Sequence, residues 1–321
     1  MRPTRRGFLA GSMLAGAAAL PLSARATAPA VGKAPAAFYR YKVGTYEITA
    51  VYDGIWNRPI DEKFVRNAPF GQVKQALAEA FMPENTLAIP FTPLLINTGD
   101  KLVLIDTGSG GQIAPTAKSF GANLAAAGID PKAIDIVLIS NFHPDHINGI
   151  KTKDNEVVFP NAEIKVPAKE WAFWMDDANK REAESKMISA YMLNVRRIFS
   201  DIRNRVTPFA PGGEVAPGIT SIDAPGHTPG HTAYAVASGG ETMTALCHTT
   251  NHPWLFARHP EWQPIVDQDG PLAVATRRRM LDRVNADKTL VQGYHFPFPG
   301  TGRIIKTKTG YEFVPEMWRP A

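Results

Sequence analysis

The sequence predicts an α/β protein whose functional site lies at the end of a buried strand. Residues 134–139 form an apolar run rich in β-branched side chains, and a polar loop with two histidines and an aspartate follows at residues 140–149. Residues 38–58 alternate as antiparallel strands do, whereas residues 181–203 repeat apolar side chains at helical spacing. Because α/β proteins usually build their sites in loops at strand ends, we expect the chemistry at residues 140–149.

Composition favours one large globular domain. The 321 residues contain no internal repeat, and a hydrophobic content of 44% is sufficient for a substantial core. The net charge of +5 comes mostly from four arginines among residues 1–26; without them, 31 basic residues face 30 acidic ones. We therefore expect no nucleic-acid partner. The single cysteine, Cys247, excludes an intrachain disulfide.

The N-terminus predicts an export signal. Arg5 and Arg6 precede a small apolar stretch at residues 9–22, and Ala-Arg-Ala ends at Ala26 as at a cleavage site. The paired arginines resemble signals of the Tat export machinery, which predicts cleavage after Ala26 and a periplasmic or secreted protein. A stable membrane anchor is not expected, because the apolar stretch is shorter than the ~20 residues of a span. Residues 27–37 then form a flexible linker.

The first part of the folded domain predicts strands around one short helix. After the strands of residues 38–58, residues 71–81 have a helical pattern. Residues 81–91 lack a clear period, so they are either a loop over the site or part of the core. Residues 94–105 predict a hairpin that turns at residues 98–100.

The later elements predict two further helices and more strands. A helix near residues 115–127 precedes the strand at 134–139, a β unit follows at 157–166, and a second hairpin turns at 238–240. The longest helix, at residues 181–203, has one apolar face. That face comprises Met187, Tyr191, Val195, Ile198 and Ile202. Core packing is the expected role of this face, and a homodimer contact is the alternative.

The run Asn-Phe-His-Pro-Asp-His at residues 141–146 is a candidate metal loop. His143, Asp145 and His146 offer two imidazoles and a carboxylate within four residues, and the proline stiffens the turn. Nitrogen and carboxylate ligands suit zinc, although iron and manganese also accept them. The alternative, an ordinary polar loop, would leave the other histidines unexplained.

Further histidines stand at the ends of later strands. A second run, Ala-Pro-Gly-His-Thr-Pro-Gly-His-Thr, occupies residues 224–232, where glycine and proline permit sharp turns. Cys-His follows a strand at 247–248, and Gly-Tyr-His follows another at 293–295. All eight histidines of the chain lie between positions 143 and 295, as a metal site built from several strand ends requires.

These motifs, with Asp-Thr-Gly at residues 106–108, resemble in kind and order those of the metallo-β-lactamase-fold hydrolases. The resemblance implies a four-layer αβ/βα sandwich and a metal-dependent hydrolase over residues 38–321. Within the family, the chain resembles the exported branch that contains methyl parathion hydrolase and the hydrolytic chlorothalonil dehalogenase.

The resemblance also assigns roles. It implies one metal pocket formed by Asp145, His146 and His295, and a second that contains His143 and His227. In the family, the aspartate of Asp-Thr-Gly supports the metal loop, which gives Asp106 a position behind the ligands. The last histidine of the 224–232 run, His231, is then expected to hydrogen-bond within the wall of the site.

Two positions depart from the family pattern. Asn141 replaces the first loop histidine, and His248 stands where members carry a bridging aspartate. Two dications repel strongly without bridging anions, so we expect one tightly bound Zn²⁺ and at most a second, weaker ion. Asn141 is then a supporting residue, and Asn251 is either a ligand or the cap of a turn.

His248 and Cys247 leave alternatives open. His248 either forms a three-imidazole set with His143 and His227 or acts as a general acid. Cys247 is either a soft ligand or a small buried hydrophobe.

The predicted activity is hydrolysis of a small molecule. A zinc-bound hydroxide would attack an ester, lactone or phosphotriester, with Asp145 orienting or deprotonating the water. The alternatives are hydrolytic dehalogenation of a chlorinated aromatic such as chlorothalonil, and a non-catalytic metal- or ligand-binding protein. Trp254, Phe296 and Phe298 follow metal-bearing segments and are candidates for an aromatic substrate pocket, with core packing as the alternative.

Overall fold

The computed structural model describes residue 32, residues 35–182 and residues 186–318, with the side chains of residues 180–182 excluded. The chain divides into Met1–Pro35 and a compact unit, Ala36–Ala321. The predicted signal peptide and most of the predicted linker lie outside the described residues. Within the described part of the chain, every helix lacks the length or the apolarity needed to cross a bilayer.

Strands form the framework of the compact unit. Its strands, in chain order, are β1 (Phe38–Val43), β2 (Tyr46–Val51), β3 (Gly54–Pro59), β4 (Thr86–Phe91), β5 (Leu94–Asn97), β6 (Leu102–Ile105), β7 (Ile136–Leu138), β8 (Glu163–Pro167), β9 (Val206–Phe209), β10 (Glu214–Ala216), β11 (Ile219–Asp223), β12 (Thr232–Ser238), β13 (Glu241–Cys247), β14 (Leu290–Gly293), β15 (Thr301–Lys306) and β16 (Tyr311–Pro315). The predicted hairpins at 94–105 and around 238–240 are confirmed.

The strands form two large sheets and one small one. The first sheet has the order β1-β2-β5-β6-β7-β8-β9, antiparallel from β1 to β6 and parallel from β6 to β9. The second has the order β10-β11-β12-β13-β14-β15-β16, and only its β13–β14 pair is parallel. Strands β3 and β4 pair with each other.

Some of the helices cover the outer faces of the two large sheets. They are α1 (Phe70–Glu79), α2 (Phe120–Ala126), α3 (Pro144–Ile147), α4 (Ala168–Met175), α5 (Asp177–Glu182), α6 (Lys186–Phe199) and α7 (Gly270–Ala286), with short 3₁₀ turns at Pro131–Ala133, Asn148–Ile150 and Arg203–Arg205 and a π-helical turn at Pro253–Ala257. The helices predicted at 115–127 and 181–203 are present but shorter, and the β unit predicted at 157–166 contributes a strand only from Glu163.

Alternation along the strands divides the core into layers. In β6, Leu104 packs with α2 and α6, whereas Val103 and Ile105 pack with the second sheet. Because successive strand side chains point to opposite faces, the first sheet has an apolar layer on each side. On the outer face of the second sheet, Leu246 and Val291 pack with α7. The order helix, sheet, sheet, helix confirms the four-layer sandwich.

For residues 81–91, the structure decides between a loop over the site and a part of the core. Residues 86–91 form β4, in which Leu87, Ile89 and Phe91 are buried in alternation in a core beneath α1. Core packing is therefore the correct interpretation for this part, and the alternative of a loop over the site is wrong. Pro90 obscures the alternation of apolar residues in the sequence. A proline is tolerated within β4 because this strand pairs with β3 only and therefore lies at a sheet edge.

Candidate metal centre

The metal loop begins where two neighbouring parallel strands end. Asp106 follows β6 in the left-handed conformation, with φ of +58°, which is uncommon for a residue other than glycine. Its carboxylate accepts hydrogen bonds from the backbone N–H of Ser140 (2.8 Å) and from the Ser140 hydroxyl (2.7 Å). The turn after β6 is thus tied to the turn after β7, which fixes the start of the metal loop.

Four side chains converge at this end of the sandwich. They are Asp145, His146, His248 and His295, and their ligand atoms lie within 4.8 Å of one another. Oδ2 of Asp145 is 3.2 Å from Nε2 of His146 and 3.5 Å from Nε2 of His295. Atoms that bind one zinc ion at about 2.0–2.2 Å lie roughly 3–4.5 Å apart, so the separations suit a single shared ion.

The far nitrogens of two of these imidazoles are held by the protein. His146 donates its Nδ1–H to Oδ2 of Asp106 at 2.7 Å, and His295 donates its Nδ1–H to the carbonyl of Pro90 at 2.9 Å. Nε2 of both rings is buried and has no hydrogen-bond partner among the described residues. An imidazole that is anchored by a hydrogen bond at one nitrogen and open at the other is the usual arrangement of a metal-binding histidine. These residues fit a divalent cation.

Burial and charge give the cluster its electrostatic character. Burial lowers the pKa of His295 to about 4 and that of His248 well below its usual range, so both rings are neutral. Burial also opposes protonation of His146, but the carboxylates of Asp145 and Asp106 outweigh it and raise the pKa of His146 to about 10. Two buried carboxylates around one imidazole therefore favour a cation at this point.

His143 and His227 form a separate pair. Nδ1 of His143 lies 2.8 Å from Nε2 of His227, and Nδ1 of His227 lies 2.9 Å from Oδ1 of Asp267. Because the Asp267 carboxylate accepts the His227 Nδ1–H, Nε2 of His227 is the acceptor and His143 is the donor within the pair. Burial lowers the pKa of His143 to about 3. The two rings are hydrogen-bonded to each other, and Nε2 of His143 is buried without a partner among the described residues.

Asn141 uses its amide within the loop. Its Oδ1 accepts the backbone N–H of His143 at 3.0 Å, and its Nδ2–H donates to the Ser140 hydroxyl at 3.1 Å. Both ends of the buried side chain are therefore engaged in shaping the loop.

His248 lies with the Asp145 group. Its ring stacks on that of His227 with centroids 3.4 Å apart and planes 7° apart. The grouping of His248 with Asp145, His146 and His295 favours that site over the predicted three-imidazole set with His143 and His227, which stays a prediction. Nδ1 of His248 is buried without a partner among the described residues.

The residues beside His248 have distinct roles. His231 uses both ring nitrogens, donating Nδ1–H to the Ala224 carbonyl (2.7 Å) and accepting the backbone N–H of His248 (3.0 Å). Cys247 is buried in the core between the sheets, as a small hydrophobe, with φ of +49°. Asn251 is buried, and its Oδ1 has no partner within the described part of the chain.

Sequence reasoning missed three buried charged residues. Glu170 accepts the backbone N–H groups of Phe142 (3.0 Å) and Gly230 (2.7 Å) and the indole N–H of Trp174 (2.7 Å). It therefore joins the metal loop to the 224–232 run. Asp267 and Arg277 form a buried ion pair at 3.0 Å behind His227. All three act across long sequence separations, and nothing in their local sequence marks them.

The three aromatic residues predicted to line a substrate pocket lie in different surroundings. Phe296 is wrong as a pocket residue, because it is fully buried against Phe313, with ring centroids 4.7 Å apart, on the α7 side of the second sheet. Gly293 makes this possible, since a Cβ there would lie 2.3 Å from the Phe296 ring. Phe298 packs at the edge of the inter-sheet core, 5.3 Å from the Tyr52 ring. Trp254 is half-buried, with its ring 5.3 Å from that of His252.

Comparison with known proteins gives a consistent result. The profile of the metallo-beta-lactamase superfamily matches residues 93–246, which include the metal loop and the 224–232 run. An N-acyl homoserine lactonase from Bacillus cereus is 23% identical over 237 residues, which cover 68% of this chain and 86% of the lactonase.

Two solved structures are similar over nearly the whole fold. The first is AidC, a dizinc quorum-quenching lactonase in complex with a product, N-hexanoyl-L-homoserine; it is 26% identical, with a TM-score of 0.83, and the match covers 88% of this chain and 99% of AidC. The second is the hydrolase AbOPH of the beta lactamase superfamily, also 26% identical with a TM-score of 0.83, covering 90% of this chain and all of AbOPH. The structure has the metallo-β-lactamase fold, and the chain is similar in sequence and in structure to metal-dependent hydrolases of that superfamily.

Proposed function

We propose that the protein hydrolyses lactones and related small esters with a single zinc ion held by Asp145, His146, His248 and His295. The observation that carries the proposal is the convergence of these four side chains, with buried nitrogens of the three histidines left unpartnered. The lactonases among its relatives support the lactone as the substrate class.

A single ion is favoured by what surrounds the cluster. His143 and His227 are hydrogen-bonded to each other, and the Asn141 amide is engaged in the loop. By the resemblance of its motifs, His248 stands where family members carry a bridging aspartate. No other group of three or more His, Cys, Asp or Glu ligand atoms converges within the described ranges. A second dication would therefore face neutral groups and the charge of the first ion.

The bound zinc would polarise the carbonyl and lower the pKa of water at the site. Asp145 is the cluster residue that reaches solvent, with 15% of its side chain exposed. We infer that its carboxylate orients the attacking water, accepts its proton and returns that proton to the alcohol that leaves. Tyr294 fixes the backbone of this residue, because its hydroxyl donates to the Asp145 carbonyl at 2.6 Å.

The direct test is turnover of N-hexanoyl-homoserine lactone by the zinc-loaded mature protein, followed as acid released on ring opening. We expect saturable hydrolysis that falls by orders of magnitude in Asp145→Asn. Aryl esters, a phosphotriester and chlorothalonil complete the panel. Exclusive release of chloride from chlorothalonil would show a dehalogenase instead. Stoichiometric zinc without turnover of any substrate would show a binding protein.

We also propose that the protein acts in the periplasm or outside the cell. The support is the pair Arg5 and Arg6, the apolar stretch at residues 9–22 and the small residues that end at Ala26. A Tat substrate is exported folded, which suits a protein that must acquire its metal within a buried cluster. A homodimer built on α6 remains a proposal that the molecular mass in solution can test.

A further inference from the structure

A basic cavity lies beside the loop that backs the metal site. Two adjoining cavities, of about 540 Å³ and 480 Å³, share Gly111, Lys118 and Lys153 in their walls. None of the four metal-cluster residues lines either cavity. The loop after Asp106 separates cavity and cluster, since Thr107 donates its backbone N–H to the His146 carbonyl at 2.9 Å.

The larger cavity is lined by cations and by no acidic residue. Lys118, Lys153 and Arg197 contribute to its wall, and none of the three forms an ion pair with a described residue. Lys151 is different, because its ammonium group pairs with Asp201. The smaller cavity includes Asp154 in its wall, so the positive potential is concentrated in the larger one. This is not a consequence of composition, because residues 27–321 are almost neutral overall.

Arg197 is held in place by neutral groups. Its guanidinium donates to Oε1 of Gln112 (2.8 Å) and to the side-chain carbonyls of Asn194 (3.1 Å) and Asn155 (3.1 Å). Gln112 is fixed in turn, because its amide donates to the carbonyls of Asn148 and Lys151 at 3.1 Å each. A guanidinium has five N–H donors, so two remain for a ligand. The half-buried cation is thus oriented but not neutralised.

The geometry of the loop lets a lysine approach Gly111, in the wall that also contains Arg197. Gly110 and Gly111 have φ of +59° and +68°, which favours glycine. A Cβ on Gly111 would lie 3.1 Å from the Cβ of Lys118, so the glycine allows Lys118 to approach the loop. Exposed lysines contribute little singly, which makes the ordered Arg197 the central group and the lysines its support.

We propose that the 540 Å³ cavity binds a small molecule through a phosphate group, at a site distinct from the metal centre. A planar guanidinium with free donors and two ammonium groups matches the charge and the acceptor oxygens of a phosphate dianion. The cavity is larger than a phosphate, so it leaves room for an organic moiety beside Ile113 and Pro115. This proposal does not depend on the substrate of the metal centre.

The test is calorimetric titration of the zinc-loaded mature protein with inorganic phosphate at constant ionic strength. We expect one phosphate per chain and an affinity that falls about tenfold or more in the double variant Lys118→Ala/Lys153→Ala. Arg197→Lys keeps the charge but loses the planar fork, and it should weaken binding as well. Lys308→Ala is the matched control, because Lys308 is exposed elsewhere, and it should bind as the parent does.

A variant that lacks the metal distinguishes phosphate binding in this cavity from phosphate binding at the metal centre. His295→Ala without zinc should bind phosphate with the parent affinity, and loss of binding there would place the ion at the metal centre and overturn the proposal. Equal binding of succinate would overturn the assignment to a phosphate group. Absence of saturation up to ~10 mM, or an equal loss in Lys308→Ala, would reduce the cavity to ordinary surface charge.

Discussion

At the scale of residues, the hydrogen bonds of each histidine decide what it can do. His146 and His295 are anchored through Nδ1 and leave Nε2 bare, whereas His231 uses both nitrogens and cannot bind a metal. The sequence motifs singled out all of these histidines, and the structure brings them together. Their spacing could not show that His248 lies with Asp145, because that depends on its stacking against His227, 21 residues earlier in the chain.

The buried carboxylate of Glu170 should matter to both metal-bearing segments. We expect Glu170→Gln to destabilise the protein by about 1–3 kcal/mol, because an amide must turn N–H groups toward one of the three donors. Zinc affinity should fall as well, since Glu170 joins the backbone at Phe142 to that at Gly230. Urea unfolding and competition with a zinc chelator measure the two effects. Glu156→Gln is the exposed control, and equal effects in both variants would refute this role.

Removing one partner of the ion pair behind His227 should lower the unfolding free energy far more than removing one partner of a surface pair. Asp267→Ala leaves the guanidinium of Arg277 buried without its carboxylate, which should cost about 3–5 kcal/mol of unfolding free energy. The helical pair Arg283–Asp287 is more than half exposed, so Asp287→Ala should change stability by at most about 0.5 kcal/mol. Denaturant unfolding compares the two, and similar losses would contradict the assignment of a buried pair.

At the scale of elements, hydrophobic periodicity predicted the strands and helices that bury a single face. The hairpins and α6 follow from alternation and from one apolar stripe, and Val195, Ile198 and Ile202 of that stripe lie in the core. Strand β4 was not predicted, because Pro90 interrupts its alternation of apolar and polar residues. The elements that bury its apolar side chains, α1 and the π-helical turn, lie elsewhere in the sequence. Helix ends were also too long in the predictions, since tertiary packing ends α2 and α6 within their periodic runs.

The apolar face of α6 gives a direct test of the helical layer. Ile198 is fully buried between this helix and the first sheet, so Ile198→Ala should cost about 2–5 kcal/mol. Leu193 lies on the opposite face with 56% of its surface exposed, and Leu193→Ala should stay within about 0.5 kcal/mol of the parent. Thermal or urea unfolding checks both variants. A large loss in Leu193→Ala would instead indicate a contact with a second chain.

At the scale of the whole molecule, the sandwich brings motifs from 106 to 295 to one end of two sheets. The resemblance of these motifs, in kind and order, to those of a known hydrolase family predicted the four layers and the enzyme class. Glu170, Asp267 and Arg277 could not be predicted, because each is buried only when segments far apart in sequence meet. The error at Phe296 has the same origin: neighbouring residues after β14 point to opposite sides, so His295 faces the site and Phe296 faces α7.

Export is a property of the whole chain that can be tested independently of catalysis. We expect the mature protein from the periplasm or medium to begin at Thr27, as read by N-terminal sequencing. Replacing both Arg5 and Arg6 with lysine should retain a folded precursor in the cytoplasm, because the Tat system reads the arginine pair. Unchanged export of that variant would contradict the proposed route.

The central claim is that one zinc ion is held by Asp145, His146, His248 and His295, and metal content per chain tests it most directly. Elemental analysis of the mature protein, purified without added metal, should give one zinc per chain. His295→Ala should lose that zinc, whereas His143→Ala should keep it, because His143 belongs to the separate pair with His227. Two tightly bound ions in the parent, or equal loss of zinc in both variants, would contradict the account.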